Sequence, residues 1–174
     1  VPTEIDQGFR NQTLCGYVHD PGAAMLGGVG GHAGLFATAQ DVAAIFQMLL
    51  NKGSFNGKRY FKASTVDLFT AYGSRLSHRA LGFDKPLPQE DNGGGAGDRV
   101  TASAFGHQGF TGTCVWADPG TGIVFVFLSN RVYPSGSNTK INKLSVRTTA
   151  QDYIYEPLGY PVNHERPQGY KAQV

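Results

Sequence analysis

Polar and apolar positions along the chain change their period, and each change predicts an element. Val42, Ile45, Phe46, Leu49 and Leu50 fall at i, i+3, i+4, i+7 and i+8, one stripe of a helix. Thr38 is a good N-cap for it, Asp41 three residues later completes a capping box, and Gly53 is a stop signal. The polar run NKGSFNGK predicts a turn. A second helix is predicted over about 65–71, capped by Ser64, with Val66 and Phe69 on one face and Leu68 beside them. After a short strand at Ala80–Phe83, a long loop runs from Asp84 to about Ala102, centred on DNGGGAGD. Such length is uncommon unless a loop is functional or mobile. The helical period then disappears. Ala104–His107, Thr113–Ala117 and Ile123–Ser129 read as strands, the last two joined by the tight-turn sequence DPGTG. IVFVFL, apolar on both faces, predicts a central strand covered on both sides. A last helix, about Lys140–Tyr155, ends before Pro157 because a residue preceding proline disfavours the helical conformation.

Glycine alters the reading of the first part of the chain. Residues 1–37 hold the run GGVGGHAG, and each glycine costs a helix about 1 kcal/mol, so this part reads as a glycine-rich loop region. The expected organisation is therefore one domain, or a portion of one, over 1–174: loop over 1–37, helices over 38–71, antiparallel strands over 80–129, a C-terminal helix over 140–156 and a tail over 157–174. This is an α+β arrangement, an antiparallel sheet with helices packed on it. Charge adds little. The net +2 is small and the cations are scattered, which argues against nucleic acid as a partner. The longest apolar run, Ile123–Leu128, is far short of the roughly 20 residues of a membrane span. The first residues lack the apolar stretch of a signal peptide. Cys15 and Cys114 can form one disulfide or remain two free, buried thiols.

Candidate chemistry concentrates in FGHQGFTGT, Phe105–Thr113. Read as one continuous strand, it puts His107, Gly109 and Thr111 on one face and Gln108 and Phe110 on the other. On the residues alone, this is either a glycine-rich strand whose His107 is a satisfied surface residue, or a strand on which the missing side chain at Gly109 leaves a groove where a substrate can reach backbone N–H groups, as in oxyanion holes and peptide-binding edges. Gly106 and Gly112, on the opposite face, are expected to admit close packing by a helix. His19, Asp20, His32 and His107 match no ligand spacing for a metal, and no cofactor motif occurs. A triad of Ser103, His107 and Asp118 is neither supported nor excluded by their order in the chain.

GHQGFTGT followed by VWADPGTGIVFVFLSNR resembles the last motif region of the penicillin-recognising serine hydrolases, the serine β-lactamases, DD-peptidases and related esterases. VHDPGAAMLGGVGGHAGLFATAQDVAAIFQMLLNKG resembles the same family's esterase-like members, so the resemblance covers about residues 16–155. It implies the C-terminal part of a β-lactamase/transpeptidase-like fold, and more narrowly a domain of the kind fused to bacterial family-3 glycosidases. It implies acyl transfer through an acyl-enzyme on a cell-wall peptide, β-lactam or ester, without a cofactor, in a periplasmic or secreted protein. Carried over residue by residue, His107 stands for the Lys or His of the family's triad. Gln108 replaces its Thr, Gly109 is its glycine, and the N–H of Phe110 is the strand's oxyanion donor, with Thr111 beside it in the substrate wall. The family's nucleophile is a Ser-x-x-Lys at a helix start, assisted by a Tyr-x-Asn or Ser-x-Asn. The only Ser-x-x-Lys here, Ser137–Lys140, follows the His-x-Gly box and reads as a helix cap; Ser54-Phe55-Asn56 reads as turn chemistry. The nucleophile is therefore expected upstream of this chain, in the N-terminal part of the same domain. The alternatives are a module that binds cell-wall peptide without turnover, with Gln108 in place of Thr as its hint, and an inactive fragment.

Overall fold

The computed structural model describes residues 2–73, 77–88 and 95–164. Its centre is an antiparallel meander of β5 (Phe105–Gln108), β6 (Cys114–Asp118) and β7 (Ile123–Phe127), in the order β5-β6-β7. Helix α2 (Ala39–Leu50) covers one face. Its Phe46 packs on Phe105, Ala117 and Val124, and stands edge-on to Phe83 at 6.0 Å. Helix α5 (Val146–Tyr155) covers the other, where Tyr155 meets Trp116, Cys114 and Phe125. Strand alternation divides the apolar residues of β7 between these two layers, which is why IVFVF is apolar throughout. The strand is nevertheless an edge and not the centre of the sheet. Among the described residues it pairs with β6 alone.

Helix α2 forms as its local sequence dictates. Thr38 Oγ1 accepts from the Asp41 N–H at 3.2 Å, while the Asp41 carboxylate receives the Thr38 N–H and hydroxyl, which closes the capping box. The following turn is a miniature hairpin of β3 (Ser54–Phe55) and β4 (Lys58–Arg59), with Asn56 and Gly57 both at positive φ as an Asn-Gly turn requires. Helix α3 (Ala63–Thr70) begins two residues before the expected start. Its N-cap is Lys62 without a side-chain bond, so Ser64 lies inside the helix and does not cap it.

Several expectations are corrected. Residues 1–37 are not all loop: β1 (Pro2–Asp6) and β2 (Gln12–Cys15) form a hairpin, and α1 (Pro21–Met25) is a short helix capped by Asp20. The hairpin buries little apolar area, since only Thr3 and Leu14 of its strands are buried. It is held instead by Arg10, whose guanidinium reaches Asp6 at 2.6 Å and the carbonyls of Val18 and His19 at 2.7 Å each. Such non-local polar ties leave no periodic trace. Ala80–Phe83 is not a strand. The Ala80 N–H donates to Phe83 O at 2.8 Å, closing the segment into a turn, and only its flanks make isolated bridges, Arg79 with Asp84 and Asp84 with Gly106. The C-terminal helix is two, α4 (Lys140–Lys143) and α5, broken where Ser145 takes the left-handed conformation at φ 50°. Of the long loop, 89–94 lie outside the described residues, as does the tail beyond 164. The part of the tail that is described returns to the body, where Asn163 bonds to the carbonyls of Asp98 and Val100.

Both cysteines are free. Burial of Cys114 pushes its thiol up to about 11, while Cys15 is exposed. A thiol-disulfide reagent is therefore expected to titrate Cys15 at once in the folded chain and Cys114 only after denaturation. Prompt reaction of both in native buffer would contradict the packing of β6 against α5.

Candidate functional site

Strand β5 ends at Gln108 because the chain turns there. The Gly109 N–H donates to Thr113 O at 2.8 Å and the Gly112 N–H to Gly109 O at 3.1 Å, which closes 109–113 into the turn that leads to β6. The continuous strand expected over 105–113 is thus corrected: Gly109 and Thr111 do not share a strand face with His107. Gly106 admits not a helix but the neighbouring strand. A Cβ there would strike Val115 O and come within 2.6 Å of the Trp116 indole. Gly112 does have a helix beside it, with Ile141 of α4 at 3.4 Å from such a Cβ, but its φ of 110° is a turn requirement first.

Every carbonyl of this turn is bonded into the protein. Arg147 Nη1 lies 3.3 Å from both Gly109 O and Thr113 O. Arg131 Nε donates to Phe110 O at 2.7 Å and its backbone N–H to Thr111 O at 2.8 Å. Ser129 Oγ donates to Gly112 O at 2.8 Å. The N–H groups of Phe110 and Thr111 engage no described residue. Carbonyls in and amides out is the backbone arrangement that receives an anion. Phe110 itself is 62 % exposed, with its ring between the His19 imidazole, stacked at 5.1 Å, and the Arg131 guanidinium at 4.3 Å.

His107 is exposed on β5 and held at both ring nitrogens. Nδ1 lies 2.8 Å from its neighbour Gln108 O, and Nε2 lies 3.1 Å from Arg79 Nη1. Nε2 also lies 3.9 Å from Asp84 Oδ2. Arg79 is itself paired with the buried Asp84, 2.7 Å from Oδ1, in charge contact without hydrogen-bond alignment; His78 approaches the same oxygen at 3.5 Å. Asp84 is fixed by its backbone, which exchanges two hydrogen bonds with Gly106. Gln108 points to the other face. Its amide donates to Gly95 O at 2.6 Å, and its side chain also lines a cleft of about 220 Å³ with Ile141, Asn142, Ser145, Arg147 and Thr148.

The remaining candidates separate. Ser103 reaches Asp118 directly at 3.4 Å, with no histidine between them, so His107 closes no triad. His19 pairs with Glu4, Asp20 with His32, and His107 with Arg79, which splits the imagined metal set. Ser137 bonds Ser135, while the Asn138 side chain accepts the Lys140 N–H at the start of α4. Among the described residues no serine hydroxyl is hydrogen-bonded to a lysine amine. Lys85 is buried nearby, donating to Ser103 O at 2.8 Å and Thr70 O at 3.3 Å. Burial lowers it to about 8, partly offset by the charge of Asp118.

A family profile described as Beta-lactamase matches residues 6–161. The chain belongs to the beta-lactamase family. Relatives agree. It is 38 % identical over 129 residues to an N-acetylmuramyl-L-alanine amidase of Bacillus subtilis (strain 168), an alignment covering 71 % of this chain and 28 % of the relative. It is 34 % identical over 140 residues to a protein of Salmonella enteritidis PT4 named "Putative D-alanyl-D-alanine carboxypeptidase", covering 77 % of this chain and 31 % of that one. The chain thus spans under a third of the length of these relatives. In this beta-lactamase-family chain the helices and small antiparallel sheets make up an α+β arrangement of that fold. The residues around the turn that sequence reasoning missed are Arg79, Asp84, Arg131 and Arg147. No local pattern marks them, because each reaches the turn or β5 from a distant part of the chain.

Proposed function

We propose that this chain forms one wall of a serine hydrolase site that works by acyl transfer through an acyl-enzyme. The observation that carries the proposal is the 109–113 turn, with its carbonyls directed inward and the Phe110 N–H left for a ligand, in a chain of the beta-lactamase family. The Phe110 N–H donates to the developing oxyanion, and substrate lies along His107, Gly109 and Thr111. Gln108 joins this wall only by exchanging its bond to Gly95 O for one to substrate. The nucleophilic serine and its lysine come from polypeptide upstream in the whole protein. Two further features support a further neighbour: among the described residues, the edge of β7 left unpaired, and the apolar side chains Met25, Leu26, Val29, Leu35 and Phe36, each at least 60 % exposed. The substrate class is a cell-wall peptide, a β-lactam or a related ester, which goes with a periplasmic or secreted protein. No helix among the described residues is long and apolar enough to cross a membrane.

The test compares the full-length protein with the 174-residue chain, using a fluorescent penicillin and a p-nitrophenyl ester, and maps the modified serine by mass spectrometry. Acylation of the full-length protein at a serine before Val1, and none of the short chain, is the expected result. A full-length protein that never acylates sinks the reading, and so does acylation of the short chain at an internal serine.

A further inference from the structure

We propose that Arg131 and Arg147 are positioning residues for this reaction, and that together they aim two adjacent N–H groups, those of Phe110 and Thr111, at the reacting oxygen. The inference rests on the hydrolase reading above and adds to it a second donor and the groups that orient both.

A trans peptide unit is planar, with its C=O and the following N–H pointing in opposite directions. Fixing Gly109 O inward therefore fixes the Phe110 N–H outward, and fixing Phe110 O inward does the same for the Thr111 N–H. The first carbonyl is held by Arg147 Nη1 at 3.3 Å and the Gly112 N–H at 3.1 Å. The second is held by Arg131 Nε at 2.7 Å, and no other described residue donates to it. Both guanidiniums are themselves anchored. Arg147 is buried and donates to Asn142 Oδ1 at 2.8 Å, while Arg131 Nη1 donates to Gly136 O at 2.8 Å and Asn138 O at 2.7 Å. Arg131 also lies over the Phe110 ring at 4.3 Å, and His19 supports the ring's stack, held by Glu4 at 3.2 Å. Phe110 stands largely in water, so without these donors its peptide units are free to turn and face solvent with either end. Donors preset before the charge develops need no reorganisation during the reaction, which is where such sites gain their advantage.

Arg131 is the decisive position, because its side-chain bond to Phe110 O has no substitute. In the full-length protein, Arg131→Met is expected to lower kcat for ester or β-lactam acylation by about 10- to 100-fold, comparable to misplacing or losing a transition-state donor. KM should move by less than about threefold, since the ground-state carbonyl uses these donors weakly. Rates are taken per acylable site, so that unfolded protein does not count. Arg131→Lys, able to reach one carbonyl, should recover part of the loss, and added guanidinium ion should rescue Arg131→Ala. A merely structural role predicts a lower melting temperature with kcat per site unchanged; that outcome, or a change confined to KM, overturns the proposal. Arg147→Lys, at the buried position, should weaken kcat in the same sense. If the wild-type protein acylates nothing, the hydrolase reading has failed, and the orientation of the turn decides this inference by itself. A crystal structure of Arg131→Met with Phe110 O still directed inward refutes it, and one in which the Phe110–Thr111 peptide has turned supports it.

Discussion

Replacing Asp118 with alanine is expected to cost this chain about 3–5 kcal/mol, the range for removing one member of a buried charged network. Its carboxylate is fully buried at the end of β6 and joins three parts of the chain. Oδ1 accepts from the Thr101 hydroxyl at 2.5 Å, the Gly120 N–H at 2.9 Å and the Ser103 hydroxyl at 3.4 Å. Oδ2 accepts from the Thr101 N–H at 3.0 Å and the Tyr155 hydroxyl at 3.3 Å. Alanine leaves the Thr101 N–H and the Tyr155 hydroxyl without this acceptor, and the Gly120 N–H and Thr101 hydroxyl with Ser103 Oγ alone, and an unsatisfied buried donor costs more than the bond it loses. It also removes the negative charge that partly offsets the burial of Lys85. Tyr155→Phe removes one donor and leaves the acceptor paired, so its cost should be nearer 1 kcal/mol. Urea unfolding of the two variants separates them. If Asp118→Ala costs no more than Tyr155→Phe, the carboxylate is not the junction described.

Gly106→Ala should cost about 3 kcal/mol, at the upper end of the usual overpacking range. The added methyl meets the carbonyl of Val115 and the indole of Trp116, both on the paired strand β6. Neither can yield easily. Val115 belongs to the ladder, and the position of Gly106 is fixed from the other edge by two backbone bonds to Asp84. Gly122→Ala provides the contrast. Nothing lies near the Cβ it would add, and only the positive φ of 75° opposes it, a cost of about 1–2 kcal/mol. Trp116 is the single tryptophan, so thermal melts followed by its fluorescence read the sheet directly. Equal losses for the two variants would mean that the contact with Trp116 is slack.

The contrast between α2 and the first hairpin explains what the sequence could reveal. The stripe, the Thr38–Asp41 box and the Asn56-Gly57 turn are each set by residues within a few positions of one another, so their chemistry is visible in order. The β1–β2 hairpin depends on Arg10 reaching Val18 and His19, and its strands show no apolar alternation. Strand β7 shows both sides of the limit. Its composition correctly implied cover on two faces, but its edge position depends on which strands pair, which composition does not encode. At the candidate site, His107 and Phe110 were singled out by the resemblance of the His-x-Gly stretch to the family's motif, and their proposed roles await the acylation test. The turn after Gln108 was not legible, because three glycines permit a strand and a turn alike, and the choice is made by Arg131, Arg147 and Ser129 from elsewhere in the chain.

The free side of β7 has a practical consequence for the isolated polypeptide. A five-residue strand without a charge or a proline, bonded among the described residues on one side only, is an open template for backbone pairing. Two copies of the chain can satisfy each other there at no cost to their cores. Any self-association through this ledge would be a competition for a single row of amide and carbonyl groups. An added peptide able to occupy that row would keep the chain monomeric.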